Sequence, residues 1–212
     1  MTTVYFVRHG QSEANLAEIF AGHLDLSLTD LGRQQAECTA DFLADKSLAA
    51  VYSSDLSRAY DTACAIASRH GLTVRTDPSL REINAGAWEG RHFDELDERD
   101  AAYRHWIEDI GTAACTNGES VAEMYIRVKD AVGRIVAEHP DKAVCVVCHG
   151  TPIRALTCVL SGVPLLQMRT VPWASNASVT IAEFSSANEG KIISADLHEH
   201  LGSISSTLPA NV

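Results

Sequence analysis

At 212 residues and 22.9 kDa, with 46% hydrophobic and 21% charged residues, the chain fits one globular domain over residues 1–212 that can bury a core without cross-links. A net charge of −11 argues against a nucleic-acid partner, because phosphate backbones need a basic face, but leaves small anions open to capture by a few local arginines. No stretch approaches the roughly 18–20 apolar residues of a membrane span. Residues 1–8 lack the features of a signal peptide, so a cytoplasmic protein with no membrane partner is expected.

In chain order, residues 3–8 predict a first strand. Thr29 predicts the cap of a helix running to about Ala44, with Leu31, Ala36, Phe42 and Leu43 among its apolar positions. Residues 50–53 read as a second strand. A helix over about 56–70 follows, ended by Gly71, and then a short third strand at 73–76. The segment 88–118 fits no simple strand–helix unit. With Phe93, Tyr103 and Trp106 among many charges, it predicts a helical insertion over the sheet. Its aromatics and Trp88 are expected mainly in the core, some of them forming a substrate-facing wall.

Ser120-x-x-Glu123 is a capping box opening a helix, with Val121, Met124, Val128, Val132 and Ile135 as the buried stripe and Pro140 as the stop. Residues 143–148 predict a fourth strand, and Pro152 opens a helix that ends at Gly162-Val-Pro164. Residues 179–184 and 192–197 read as closing strands whose short connection suits a hairpin and an antiparallel edge. The tail 202–212 is small and polar and is expected to be loosely held. Strands alternating with helices imply right-handed crossovers: an α/β fold, a three-layer αβα sandwich on a mostly parallel sheet with one antiparallel edge strand.

The six cysteines are scattered. Cys145 and Cys148 have the spacing of a redox or zinc motif, but side chains three apart in a strand face opposite ways, so core thiols are expected. His198 and His200 share a side if extended, yet no third ligand is in view and solvated histidines are expected.

Ligands of such sheets bind beyond the carboxyl ends of the strands. Three strands here end in unusual text: Arg8-His9-Gly10-Gln11-Ser12, Ser53-Ser54-Asp55-Leu56-Ser57-Arg58, and Cys148-His149-Gly150-Thr151-Pro152. A parallel sheet gathers these ends on one rim, and the loop carrying Glu82 can reach it. Arginine forks match phosphate oxygens, and a neutral imidazole can attack phosphorus to form a covalent intermediate. Arg8, Arg58 and His149 would hold the spreading charge. Glu82 would protonate the leaving oxygen and then take a proton from the attacking water. Gly10, Gly22 and Gly150 would let backbone approach the anion. These parts suffice without a metal or another cofactor. Each residue alone is ordinary; their joint placement carries the argument.

The chain closely resembles the histidine phosphatase superfamily, the phosphoglycerate-mutase-like enzymes. The resemblance rests on Phe6-Val-Arg-His-Gly-Gln-Ser-Glu-Ala-Asn15, Leu26-Ser-Leu-Thr-Asp-Leu-Gly32, Tyr52-Ser-Ser-Asp-Leu-Ser-Arg-Ala-Tyr-Asp-Thr62, Leu80-Arg-Glu-Ile83 and Cys148-His-Gly-Thr-Pro-Ile-Arg154. It implies His9 as phosphorylated nucleophile, Glu82 as acid–base, and Arg8, Arg58 and His149 as the phosphate pocket. Gln11, Ser12, Asn15, Ala21, Gly22 and Gly150 would line a small phosphorylated substrate. It also admits a homodimer. Ala21-Gly22-His23 departs from the Gln-Gly-Trp or Thr-Gly-Trp common in the family. That leaves His23 open between substrate selection and an ordinary surface role.

The family holds mutases and phosphatases. Only 67 positions separate Glu82 from His149, which resembles the compact phosphatase branch. A shorter cover should expose a phosphohistidine to water. The expectation is phosphomonoester hydrolysis, with phosphoglycerate-mutase-type transfer or non-catalytic phospho-ligand binding as alternatives.

Overall fold

The structure is a computed structural model that describes residues 1–206. Among the described residues six strands form one sheet in the order β3-β2-β4-β1-β5-β6: β1 Thr2–Arg8, β2 Leu48–Ser53, β3 Val74–Thr76, β4 Ala143–Cys148, β5 Val179–Ser186 and β6 Glu189–Leu197. β1, β2, β3 and β4 run parallel. β5 pairs antiparallel with β1, and β6 returns antiparallel to β5. The closing hairpin therefore forms as expected, with β5 as the reversed strand and β6 as the edge. The turn is tighter than the sequence suggested, so β6 begins at Glu189.

Side-chain alternation along the central strands builds a core on each face. Val7, Val51, Cys145 and Val147 pack with α2 (Asp30–Leu43) and α3 (Ser57–His70) through Ala40, Leu43, Ala59, Ala63 and Ile66. Val4, Phe6, Val144, Val146 and Cys148 face α6 (Val121–Glu138) and α7 (Gly150–Leu160) through Met124, Val128, Val132, Ile153 and Leu156. Cys145 and Cys148 thus lie in different cores as free thiols, and burial pushes the Cys148 thiol up to about 12. Thr29 caps α2, Gly71 closes α3 in the left-handed region, and Ser120 with Glu123 closes the capping box of α6.

The segment after β3 crosses the α6–α7 face as the expected helical cover, α4 (Phe93–Arg99) and α5 (Ala101–Glu108). Phe20 sits at its centre, 5.5 Å from both the Trp88 and Trp106 rings, and Trp88 meets Tyr103 at 5.3 Å in a perpendicular contact. Asp100 caps α5 and accepts from the Trp88 indole at 2.9 Å, tying the two ends of the cover together. A four-residue helix that the sequence reading did not mark, α1 (Glu13–Leu16), is capped by Ser12 and Asn15.

Two terminal expectations change. His200 stacks on Phe42 at 4.5 Å and its Nε2 lies 3.0 Å from Thr39 Oγ1, so it is half-buried rather than solvated. The described part of the tail is held, because Gln35 Nε2 donates to the Ile204 carbonyl at 2.7 Å and to Ser206 Oγ at 2.9 Å. The expectation for 207–212 lies outside the described residues. Among the described residues no helix is long and apolar enough to cross a membrane.

Candidate active site

Strand register brings the three motifs together: Arg8 stands beside Cys148, and Ser53 beside Val147. His9, Ser54 and His149 consequently leave the sheet on one rim. His9 is 4% exposed, and its Nδ1 lies 2.7 Å from the Gly10 carbonyl. A carbonyl can only accept, so the proton sits on Nδ1 and Nε2 keeps its lone pair. Burial first, then the charges of Arg58 and Arg8, hold the His9 pKa well below 6.5, so the ring is neutral near pH 7.

The loop is braced from several sides. Gly10 N–H donates to Thr62 Oγ1 at 3.2 Å, and Asn176 Nδ2 donates to the His9 carbonyl at 3.1 Å. A Cβ at Gly10 would run into the Gly32 carbonyl in the first turn of α2. Glycine here serves the seating of the loop on α2, not approach to an anion as the sequence suggested.

Around His9 lies a set of buried donors. The His149 ring is 5.2 Å away at 63°. Neither of its nitrogens has a hydrogen-bond partner among the described residues, and neither do Arg8 Nε and Arg58 Nε. Other guanidinium nitrogens are anchors: Arg8 Nη1 to the Ala174 carbonyl at 2.6 Å, Arg58 Nη1 to Leu24 at 2.8 Å and Nη2 to Gly22 at 2.9 Å. Leaving a buried polar atom unsatisfied costs about 1–3 kcal/mol, and here such atoms gather at one place. Burial lowers Arg8 to about 10, against the pull of Glu82 and Asp196, so it remains charged at neutral pH. His149 is held neutral by burial, reinforced by Arg58 and His9. The amino end of α7 opens at the same rim and adds the positive end of its dipole.

Glu82 bridges its own loop and α7: Oε1 accepts from Ile83 N at 2.8 Å and Oε2 from Thr151 N at 3.3 Å. Its backbone carbonyl is gripped by Arg127 Nη2 at 2.6 Å and His23 Nε2 at 2.9 Å. Arg127 also donates to the Ser79 and Arg81 carbonyls and pairs in a fork with Glu119 at 2.7 Å. Glu119 in turn accepts from Asn84 N. The Glu82 loop is thus pinned along its length by one guanidinium from α6. His23 thus braces this loop, a contact that neither of its open readings named.

The protein matches the family model of the histidine phosphatase superfamily (branch 1) over residues 4–193. The chain is a histidine phosphatase. It is 37% identical over 183 residues to the glucosyl-3-phosphoglycerate phosphatase of Mycobacterium tuberculosis, covering 82% of each chain. It is 33% identical over 206 residues to phosphoserine phosphatase 1 of Hydrogenobacter thermophilus, covering 95% of each. The solved structure of Bacillus stearothermophilus YhfR overlays with a TM-score of 0.90 at 31% identity, covering 95% of this chain and 100% of that one. With the family model and these phosphatase relatives together, the protein is a phosphoric monoester hydrolase.

In this histidine phosphatase a cleft of about 510 Å³ of empty space, partly open to solvent, is lined by Arg8, His9, Ser12, Asn15, Ala21, Gly22, Arg58, Glu82 and Gly150, all named from sequence. His149 lies against the His9 ring. Gln11 is not brought to the cleft; its side-chain oxygen accepts from Thr29 Oγ1 at 2.9 Å, which serves the α2 cap. The cleft also takes Ile19, Phe20, Phe93, Thr151, Trp106 and Trp173. Of these, Phe93 and Trp106 are among the aromatics the sequence offers as a wall; Ile19, Phe20 and Trp173 lie outside its motifs. Asn176, 167 positions from His9, was missed too, as was Arg127. Among the described residues no group of three or more His, Cys, Asp or Glu is placed to hold a metal ion.

Proposed function

We propose that this phosphatase, acting as one domain built on its single sheet, hydrolyses phosphate monoesters through a phosphohistidine on His9, with Glu82 as acid and base. The Nε2 lone pair attacks phosphorus while the ester P–O bond breaks. Glu82 gives its proton to the departing alcohol oxygen. A water oxygen then attacks phosphorus, its proton passes to the Glu82 carboxylate, and the P–N bond breaks to restore neutral His9. Arg8, Arg58 and His149 receive the equatorial oxygens, where charge spreads. The observation that carries this reading is the His9 tautomer: Nδ1 is spent on the Gly10 carbonyl, leaving Nε2 free beside the unpartnered nitrogens of Arg8, Arg58 and His149. The relatives named for phosphoserine and glucosyl-3-phosphoglycerate support a metabolite-sized substrate.

The test is phosphate release from a panel of phosphomonoesters, with chelator present throughout. His9→Ala should lose about 10⁴-fold or more in kcat, the scale of losing a nucleophile. Turnover that needs added metal, or that survives the substitution, would overturn the mechanism.

A further inference from the structure

The cleft has two chemically distinct ends. Among the described residues, the cationic side chains that line it, Arg8 and Arg58, belong to the phosphoryl end beside His9. The wall beyond is Ile19, Phe20, Phe93, Trp106 and Trp173. The third buried arginine, Arg154, is committed elsewhere: Nε donates to the Val171 carbonyl at 2.7 Å, Nη2 to Arg169 at 3.3 Å, and its guanidinium lies 4.3 Å over the Trp173 ring. It orients the wall instead of facing the cleft. Residues 207–212 contribute no basic side chain either. The wall's indole N–H groups, on Trp106 and Trp173, are uncharged, and that of Trp106 is buried in the cover, so neither supplies a countercharge to an anion.

A second anionic group on the substrate would therefore lie against an apolar wall with no countercharge, beside the Glu82 carboxyl, and give up part of its hydration without compensation. An apolar leaving group would instead gain burial against the four rings and Ile19. We infer that the substrate class of this phosphatase is the phosphate monoester of an uncharged, largely apolar alcohol, and that phosphorylated acids are selected against. The inference rests on the phosphohistidine reading and adds to it what the cover accepts. It sets this chain apart from the relatives named for phosphoserine and for a phosphoglycerate conjugate.

Two matched pairs of alkyl esters test it without confounding by leaving-group acidity. Glycerol 3-phosphate and 3-phosphoglycerate differ by an alcohol against a carboxylate. 2-Phenylethyl phosphate and ethyl phosphate differ by a ring. In wild type, kcat/KM should favour the uncharged member of the first pair and the ring-bearing member of the second, each by about tenfold or more. Trp173→Ala should shrink the second ratio severalfold. A preference for 3-phosphoglycerate, or no gain from the ring, would overturn the substrate assignment while leaving the His9 mechanism standing. Turnover of all four esters that is indifferent to His9→Ala would instead remove the mechanism beneath it.

Discussion

The phosphoryl end and the cover of this phosphatase are built by different means. Arg8, His9 and His149 hang directly from the ends of β1 and β4, and Arg58 from the first turn of α3, so backbone register fixes their spacing. The cover, by contrast, is held by side chains: Phe20 among Trp88, Phe93, Tyr103 and Trp106, with Asp100 joining Trp88 and Thr116. The first arrangement suits chemistry that tolerates little displacement. The second can change its lining without disturbing the first, which makes it the place where ester selectivity is set. Substitutions at the first should therefore hit every substrate through the chemical step, and those at the second should act on binding and choice.

Glu82 joins the two regions, and the largest effect short of removing the nucleophile is expected where its loop is pinned. Arg127→Met removes donors to the Ser79, Arg81 and Glu82 carbonyls and leaves Glu119 without its fork. If Arg127 positions the acid, kcat/KM for alkyl esters should fall about 100-fold, the lower range for losing general acid catalysis. For 4-nitrophenyl phosphate, whose leaving group needs no proton, the loss should stay under about tenfold. Arg127→Lys should restore little, since one ammonium cannot make the planar fork. Equal losses on both ester types would make Arg127 a merely structural residue.

That role shows where sequence reading reaches its limit. The caps at Thr29 and Ser120, the left-handed Gly71 and the opposed faces of Cys145 and Cys148 were legible because each depends on residues within a few positions. The phosphoryl end was legible because parallel strands deliver their ends to one rim. Arg127 and Asn176 were not, because their partners lie 45 and 167 positions away and nothing local marks an arginine on a helix as a loop brace. Gln11 was misplaced for the converse reason: it sits inside the most informative motif, yet its side chain turns to Thr29. Proximity in a motif does not give direction. Likewise α7 starts at Gly150 and not at Pro152, so that its first N–H groups open onto the site.

The next effect separates the regions by pH. His9 and His149 have folded pKa values below 6.5, so the unfolded chain binds protons that the fold excludes as pH drops. Their contribution is intact above about pH 6.5 and is lost as pH falls toward the folded values, by about 1.4 kcal/mol per pH unit for each histidine. Urea unfolding between pH 7 and 5 should therefore show His149→Gln losing less stability than wild type, by about that slope. Saturating phosphate should flatten the wild-type dependence, because a bound dianion favours the protonated rings. A His149→Gln curve parallel to wild type would mean that the burial of this ring is not what resists acid.

The smallest effect belongs to the cover alone. Asp100 accepts from Ala102 N and Tyr103 N at the start of α5, from the Trp88 indole, and from Thr116 Oγ1. Asp100→Ala should cost about 0.5–2 kcal/mol, the range for a lost helix cap, and loosen the seating of Trp106 against Phe20. Because none of these bonds touches the rim, kcat should hold within about twofold, while KM for a ring-bearing ester rises severalfold, the signature of lost ground-state binding. Asp100→Asn, which keeps an acceptor at the cap, should recover most of the stability. If Asp100→Ala instead lowers kcat equally on ethyl and 2-phenylethyl phosphate, the cover is coupled to the chemical step, and the division of labour between the two regions fails at its weakest joint.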